Sequence, residues 1–448
     1  MPGLPASRGA GGSYRWTVLA VGSLAQAAAS AYVLGLAAIG PALRAGYGLS
    51  LPGLGLLLAA STAGLLLTVI AWGRASDRLG ERAVMAAGLV VAAAALAIAP
   101  LMRRPVPLGL VLVLAGAGAA SVNAASGRAV LTWFGPARRG LAMGVRQTAV
   151  PVGAGLGAVV LPPITRAHGL AAAYLTLAAF SLVAAVAVWA WIREPAAVPG
   201  PQPPTNAPSG VPPKPAGTGA VLRDPVLVRL ALGSALLVIP QFVIVAFSVE
   251  LLHERGGLSP GAAAVVLAVA QGTGGAGRLL AGWWSDRVGS RLQPLRLIAI
   301  TVAAGFAGLA GAVFAPVAVL VVGLVAVAGV VISWNGLAFT AAGELAPPGR
   351  AGTALGAQNS ACFVSATLTP PAIGAVITVV GWPVALLLAA LPAVAAARLF
   401  TPLLRAERRA GQQVRPSAGQ PAGQPAQPPV GQPAQLARSR DSSRSGPV

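Results

Sequence analysis

Apolar segments of roughly the length that carries a helix across a lipid bilayer, about 20 residues, recur along almost the whole chain, and few folds can accept them. They run at 17–40, 53–72, 83–101, 107–131, 141–163 and 170–192, then at 226–252, 260–284, 294–314, 318–343, 352–380 and 383–402. Hydrophobic residues make up 56% of the 448 and charged residues 9%, whereas soluble domains carry about 25% charged residues. A single water-soluble globule cannot hide that much apolar surface. Lipid accepts it on every side of a helix and forces each segment to satisfy its own backbone hydrogen bonds. The expected fold is therefore an all-α membrane protein of twelve transmembrane helices. No small-residue cleavage site follows the first run, so it is read as a retained helix.

Composition divides the chain into 1–194, a Pro/Gly-rich linker 195–224, 225–402 and a basic, Gly-Gln-Pro tail 403–448 expected to lack order. The net charge of +21 lies in short clusters between apolar runs, without the basic stripe that nucleic-acid binding needs. Cys362 is alone, and His168 and His253 stand far apart, so neither a disulfide nor a metal site is expected. No P-loop is present, nor a Ser/His/Asp arrangement, and the chain is expected to be neither an ATP-driven pump nor an enzyme. No cofactor is called for. Placing both termini in the cytoplasm puts Arg8, Arg15, Arg74, Arg78, Arg82, Arg138, Arg139, Arg193, Lys214, Arg223, Arg287, Arg291 and Arg350 inside. Outer loops then keep only Arg44, Arg103, Arg104, Arg166 and Arg255, as the positive-inside rule asks. The Arg, Ala and Gly bias hints at a bacterial source, hence the plasma membrane.

The strongest organisational signal is a repeat. Gly73-Arg74-Ala75-Ser76-Asp77-Arg78-Leu79-Gly80-Glu81-Arg82 returns as Gly282-Trp283-Trp284-Ser285-Asp286-Arg287-Val288-Gly289-Ser290-Arg291, each copy after the second span of its half. Arg138, Gly140, Ala142 and Gly144 return as Arg350, Gly352, Ala354 and Gly356. Two related six-helix halves in parallel are implied. Physically, Gly73 and Asp77 share a helix face on which Gly permits close helix approach. Gly80 permits a sharp reversal, and Arg78 and Arg82 reach headgroups.

This loop resembles the signature between the second and third helices of the major facilitator superfamily, with a second copy between the eighth and ninth. The resemblance implies two pseudo-symmetric six-helix bundles that rock about a central site. It also implies a latch between the bundles on the cytoplasmic side, formed by Gly73, Asp77, Arg78, Gly80 and Arg82 and by Gly282, Asp286, Arg287, Gly289 and Arg291. Glu81 stands where that family often has a basic residue. Pro151 to Gly157 partly resembles the fifth-helix signature of its antiporters, without the leading Gly-Pro.

Polar residues inside spans are costly in lipid unless they face a partner or a water-filled cavity. Asn123 and Asn335 occupy equivalent places in the fourth and tenth spans, and the helices that line the cavity in this superfamily also supply Gln26, Tyr32, Gln241 and Trp334. Substrate contact and plain interhelical bonding are both open to them. Arg146-Gln147-Thr148 opens the fifth span, and Gln358-Asn359-Ser360 holds the same place in the eleventh. If Arg146 faces the cavity it makes a site for an anion; if it snorkels to the interface it is structural. Arg128 is read as interfacial and Arg278 as part of the latch. Glu344 is read as a salt-bridge partner in the second latch, near Arg287. Glu250, His253 and Glu254 form either a proton entry cluster or a solvated loop. No buried carboxylate at midspan stands out, so the proton-coupling residue is left unassigned.

The expected activity is secondary transport by alternating access, moving a small organic or inorganic anion with protons, in a monomer surrounded by lipid. The loop at 133–140 together with Arg146-Gln147-Thr148 resembles bacterial cyanate, nitroimidazole and nitrate/nitrite carriers. A proton/drug antiporter is the alternative, against which stand aromatics at 5% of the chain. A non-transporting membrane sensor is the alternative of another class.

Overall fold

Most of the apolar runs form helices that continue past them at one or both ends, because helical hydrogen bonding propagates through polar interfacial residues that hydropathy alone does not register. A computed structural model describes residues 10–134, 136–193, 223–347 and 350–414. The linker up to 222 and the tail from 415 lie outside the described residues, as do the side chains of Asp77, Arg128 and 136–141. Among the described residues there are helices and no strands.

Among the described residues, ten stretches are long and apolar enough to cross a membrane. Two of these, Ala142–Trp191 and Ala351–Glu407, are 50 and 57 residues long, more than twice what one crossing takes, about 20 residues. Each is broken at one glycine: Gly169 has φ 77° and ψ 179°, and Gly381 has φ 77° and ψ 172°. Separated there, the stretches make twelve helices, as expected.

The first half holds α1 (Ala10–Val33), α2 (Leu51–Leu79), α3 (Glu81–Ile98), α4 (Pro105–Trp133), α5 (136–168) and α6 (170–191). The second holds α7 (Pro225–Glu254), α8 (Pro260–Val288), α9 (Leu292–Ala312), α10 (Val317–Val331, resuming as Asn335–Leu345), α11 (351–380) and α12 (382–414). The last helix runs past Phe400 into the segment expected to be tail, because 403–410 is built of Leu, Arg, Ala and Glu, all strong helix formers.

Capping explains several starts. Ser50, Asp224 and Ser259 each accept a hydrogen bond from a backbone N–H of the turn that follows, with Pro in the first two helical positions. Two helices are interrupted. α1 gives way at Leu34 to a buried 3-10 turn, Gly35–Ile39, and a short helix, Gly40–Tyr47. α10 unwinds over 332–334. Non-helical backbone at membrane depth is tolerated only where protein or a water-filled cavity surrounds it, so both breaks mark the interior.

One face carries the start of α1 and the ends of α4 and α6: the Tyr14 hydroxyl donates to Trp191 O at 2.7 Å, and Trp16 lies edge-on to Phe134 at 5.2 Å. This is the terminal face. On the opposite face α2 meets α11 across the two halves, where a Cβ placed on Gly55 would fall 2.4 Å from Pro370 O.

The duplication shows in the backbone. Left-handed glycines recur in pairs at equivalent turns, Gly48 with Gly257, Gly80 with Gly289 and Gly169 with Gly381. The φ/ψ of Gly169 and Gly381 belongs to a region that only glycine enters readily, at a cost to other residues of about 1–3 kcal/mol. Gly169→Ala should therefore lower the unfolding temperature of the detergent-solubilised protein through backbone strain alone, since nothing lies within 4 Å of the added methyl group. Gly144→Ala, in helical backbone with the same open space, should cause no loss.

Candidate functional site

Arg146 sits nearly three turns into α5 and does not snorkel. It is 7% exposed, and its guanidinium reaches inward to α1 and α4. Nε donates to Ser126 Oγ at 2.8 Å, one terminal nitrogen donates to Gln147 Oε1 at 2.8 Å, and the other donates to Gln26 Oε1 at 3.2 Å and Asn123 O at 3.3 Å. The Met143 sulfur lies 4.0 Å away. Every one of these groups is neutral. Ser126 donates in turn to Val122 O, and Gln26 to Ser30 Oγ. A recess beside the guanidinium runs between the terminal-face ends of α1 and α4, past Val18, Leu19, Val130 and Phe134.

The second half repeats the arrangement without the charge. Gln358 on α11 holds the place of Arg146 and donates to Ser234 Oγ on α7 at 2.8 Å. Its Oε1 is buried and unpartnered among the described residues. Where α10 unwinds, Trp334 Nε1 and Asn335 Nδ2 both donate to Gln241 Oε1 at 3.0 Å. Four expected residues on α7, α10 and α11 thus line one interior, with half-buried Asn359 beside Gln358.

Arg278 is placed differently from expectation, while Tyr32 and the Glu250 cluster each take one of the two roles left open to them. Arg278 is not part of a terminal-face latch: it is 9% exposed and donates to Ile332 O at 3.0 Å and, across the halves, to Gln147 O at 2.6 Å. The unwound turn of α10 frees the Ile332 carbonyl that draws it inward. Tyr32 turns its hydroxyl to Leu112 O at 2.5 Å inside the first half, which commits that hydroxyl to a neighbouring backbone. Glu250 and Glu254 are not a solvated loop: both reach Arg44 of the other half, and the Glu250 side chain is 1% exposed.

At the second copy of the repeated loop, Arg291 is the hub. It pairs with Asp286 and, at 3.3 Å, with Glu344, while Glu407 accepts from the Ser290 hydroxyl and the Arg291 N–H. Glu344 thus finds Arg291 rather than Arg287. Arg287, four residues after Trp283 and so on the same helix face, stacks on that ring at 4.3 Å. In the first copy Arg82 stacks on Trp189 at 4.2 Å, and Gly80 makes the reversal at φ 82°. Arg78 is exposed, and Gly73 and Gly282 face open space rather than a close helix. The close approaches are made elsewhere, at Gly55 and Gly116. Among the described residues, the charge pairs at the second copy therefore lie within its own half.

Sequence reasoning missed Gln271, a 2% exposed glutamine on α8 packed against Gly155 of α5, whose Nε2 lacks a partner among the described residues. A polar residue in the middle of a second-half span facing α5 was the available signal.

Comparison with known proteins agrees with this architecture. The Major Facilitator Superfamily profile matches residues 19–370. An uncharacterised MFS-type transporter of Mycobacterium tuberculosis (strain H37Rv) is 35% identical over 379 residues, which cover 83% of this chain and 81% of that protein. Among solved structures, a bacterial homologue of the human lysosomal transporter Spinster, inward-facing and occupied, superposes with a TM-score of 0.72 at 16% identity, over 88% of this chain and 97% of that one. A D-xylose–proton symporter gives 0.69 at 17% identity, over 87% and 98%. With its duplicated six-helix halves, its repeated Gly/Asp/Arg loop and a family match over most of its length, the chain belongs to the major facilitator superfamily of membrane transporters.

Proposed function

We propose that the protein carries a small organic or inorganic anion across a bacterial plasma membrane by alternating access, coupled to protons. The observation that carries this reading is Arg146: a buried guanidinium whose polar partners, among the described residues, are all neutral. A charged side chain inside a membrane span is costly, by about 3 kcal/mol at the helix centre, and marks a functional site. An arriving anion supplies the missing counter-charge. The planar fork can present two parallel N–H donors to a carboxylate or oxyanion, with Gln26 and Gln147 releasing their amides to it.

Arg278 adds a second positive group from the opposite half, held to the same residue, Gln147. An anion between the two arginines would draw the halves together, which is the differential binding that a conformational change requires. The break in α10, whose Ile332 carbonyl binds Arg278, allows local adjustment beside the site. The protein is read as a monomer with both termini cytoplasmic, from the arginines of the terminal face.

The test is uptake into proteoliposomes under an imposed pH gradient, with labelled monocarboxylates, dicarboxylates and inorganic oxyanions alongside cationic dyes. Saturable uptake of one anion class, lost in Arg146→Ala, is the expected result. Dye movement without anion movement, or undiminished anion uptake by the variant, overturns it.

A further inference from the structure

The interior site leaves the buried carboxylate of Glu250 unused. Glu250 lies one turn before the end of α7, on the face opposite the termini, with its side chain 1% exposed. Its Oε2 accepts from Arg44 at 2.8 Å. Its Oε1 has no partner among the described residues and lies against Gly40, on which an added Cβ would come within 3.0 Å of it. Arg44 belongs to the other half, on the short helix Gly40–Tyr47. The same Arg44 nitrogen also meets Glu254 at 2.5 Å, and Glu254 accepts from Trp382 Nε1 at 3.0 Å. One arginine of the first half is therefore clasped by two carboxylates and, through one of them, an indole of the second.

This clasp closes the face, and its charges do not balance. Arg44 and Glu254 are 29% and 32% exposed, so water reaches the rim of the cluster but not Glu250. The charged and titratable groups around Glu250 are Arg44 from the first half and Glu254 and His253 from its own helix. Of these, His253 is exposed and turned to Leu258 O. From the other elements packed here, α2 presents Leu54 beside Gly40 and α12 presents Trp382. With two carboxylates to one arginine, the cluster carries one excess negative charge, and accepting a proton makes it neutral overall.

We propose that Glu250 is the proton-binding site that couples protons to opening of this face. A proton passing from the rim through Glu254 to Glu250 replaces the buried ion pair with a weaker hydrogen bond from the charged guanidinium to an uncharged carboxylic acid. Arg44 is then held only at the exposed rim, where water screens the attraction, and the halves part. Loss of the proton restores the pair and draws the face shut. The inference rests on the proton coupling proposed above and not on the identity of the anion.

Distance measurement between spin labels on the purified full-length protein in nanodiscs tests it without any transported ion. Labels at Val106 and Phe314, which are 73% and 77% exposed on this face, are introduced after Cys362→Ser. Acidification should raise the long-distance population several-fold in the parent protein. Glu250→Gln should hold that population high in acid and alkaline buffer alike, and Arg44→Gln, which removes the partner from the other half, should also lose the pH response. A parent protein whose distances ignore pH, or a Glu250→Gln protein that responds as the parent does, overturns the proposal. Because no anion is present, failure here leaves the Arg146 reading standing, and failure of anion uptake leaves this one standing.

Discussion

Replacing Arg146 with alanine should lower anion transport by about 100-fold or more while leaving the protein as stable as before. The first part follows from the bonds a bound anion would lose: hydrogen bonds to a charged group are worth about 1.5–3 kcal/mol each, and two together exceed the ~2.7 kcal/mol that a 100-fold change in affinity represents. The second part follows from the partners. Removing one member of a buried ion pair is destabilising because it strands the other charge, but here only Ser126, Gln147, Gln26 and a backbone carbonyl are released. Ser126 keeps its bond to Val122 O, and Gln26 keeps its bond to Ser30.

Arg146→Gln sharpens the same expectation, since the protein already tolerates glutamine at the equivalent place, Gln358. That variant should fold and fail to transport. Arg146→Lys keeps the charge but not the fork that spans Ser126, Gln147 and Gln26, so a smaller loss, about 10-fold, is expected, the size of one weakened hydrogen bond. Uptake in proteoliposomes set beside thermal unfolding in detergent separates these outcomes. A structural arginine would show the reverse pattern, with the unfolding temperature falling in every variant along with transport.

The twelve crossings and their duplication are legible in the sequence because lipid imposes its rules locally. A run of apolar residues must form its own helix wherever it occurs, and a reversal needs its glycine at the turn, as Gly80 and Gly289 show. Arg146 was legible as a candidate, but whether it faced the interior depended on what α1 and α4 offered, and Gln26 stands 120 residues away. Glu250 was hidden for the same reason. Beside His253, Glu254 and Arg255 it reads as either a proton entry cluster or a solvated loop, and Arg44, 206 residues earlier, makes it a buried partner. Arg278 was assigned by its nearness in sequence to the repeated loop, while its bonds are set by the unwound turn of α10 and by Gln147, 131 residues off. What stayed hidden is pairing between helices, which a sequence read one segment at a time does not contain.

The largest effect on stability is expected from Gly116→Ala. Between helices in lipid there is little hydrophobic drive, so close van der Waals contact and small residues hold them together. α4 depends on this on two sides. Its Gly116 meets α2 so closely that a Cβ would fall 2.0 Å from Ser61 O, and its Gly118 meets α3 so that a Cβ would fall 2.4 Å from Gly88 O. At the first contact α2 answers with Gly64, where a Cβ would lie 2.1 Å from Val113 O. Thr68 and Trp72 of α2 both donate to the carbonyl of Ala117 between the two contacts. The atom in the way of a new methyl group at 116 is a backbone oxygen, which cannot rotate aside as a side chain can, so α2 and α4 must separate. Overpacking in a core ordinarily costs about 1–3 kcal/mol, and this site should lie at or above the upper end, with the Ala117 bonds lost as well. Gly109→Ala on the same helix has nothing within 4 Å and should be neutral or gain up to about 1 kcal/mol from helix propensity. Thermal unfolding of the two variants in one detergent decides the matter. Equal unfolding temperatures would mean that the α2–α4 crossing is looser than its glycines imply.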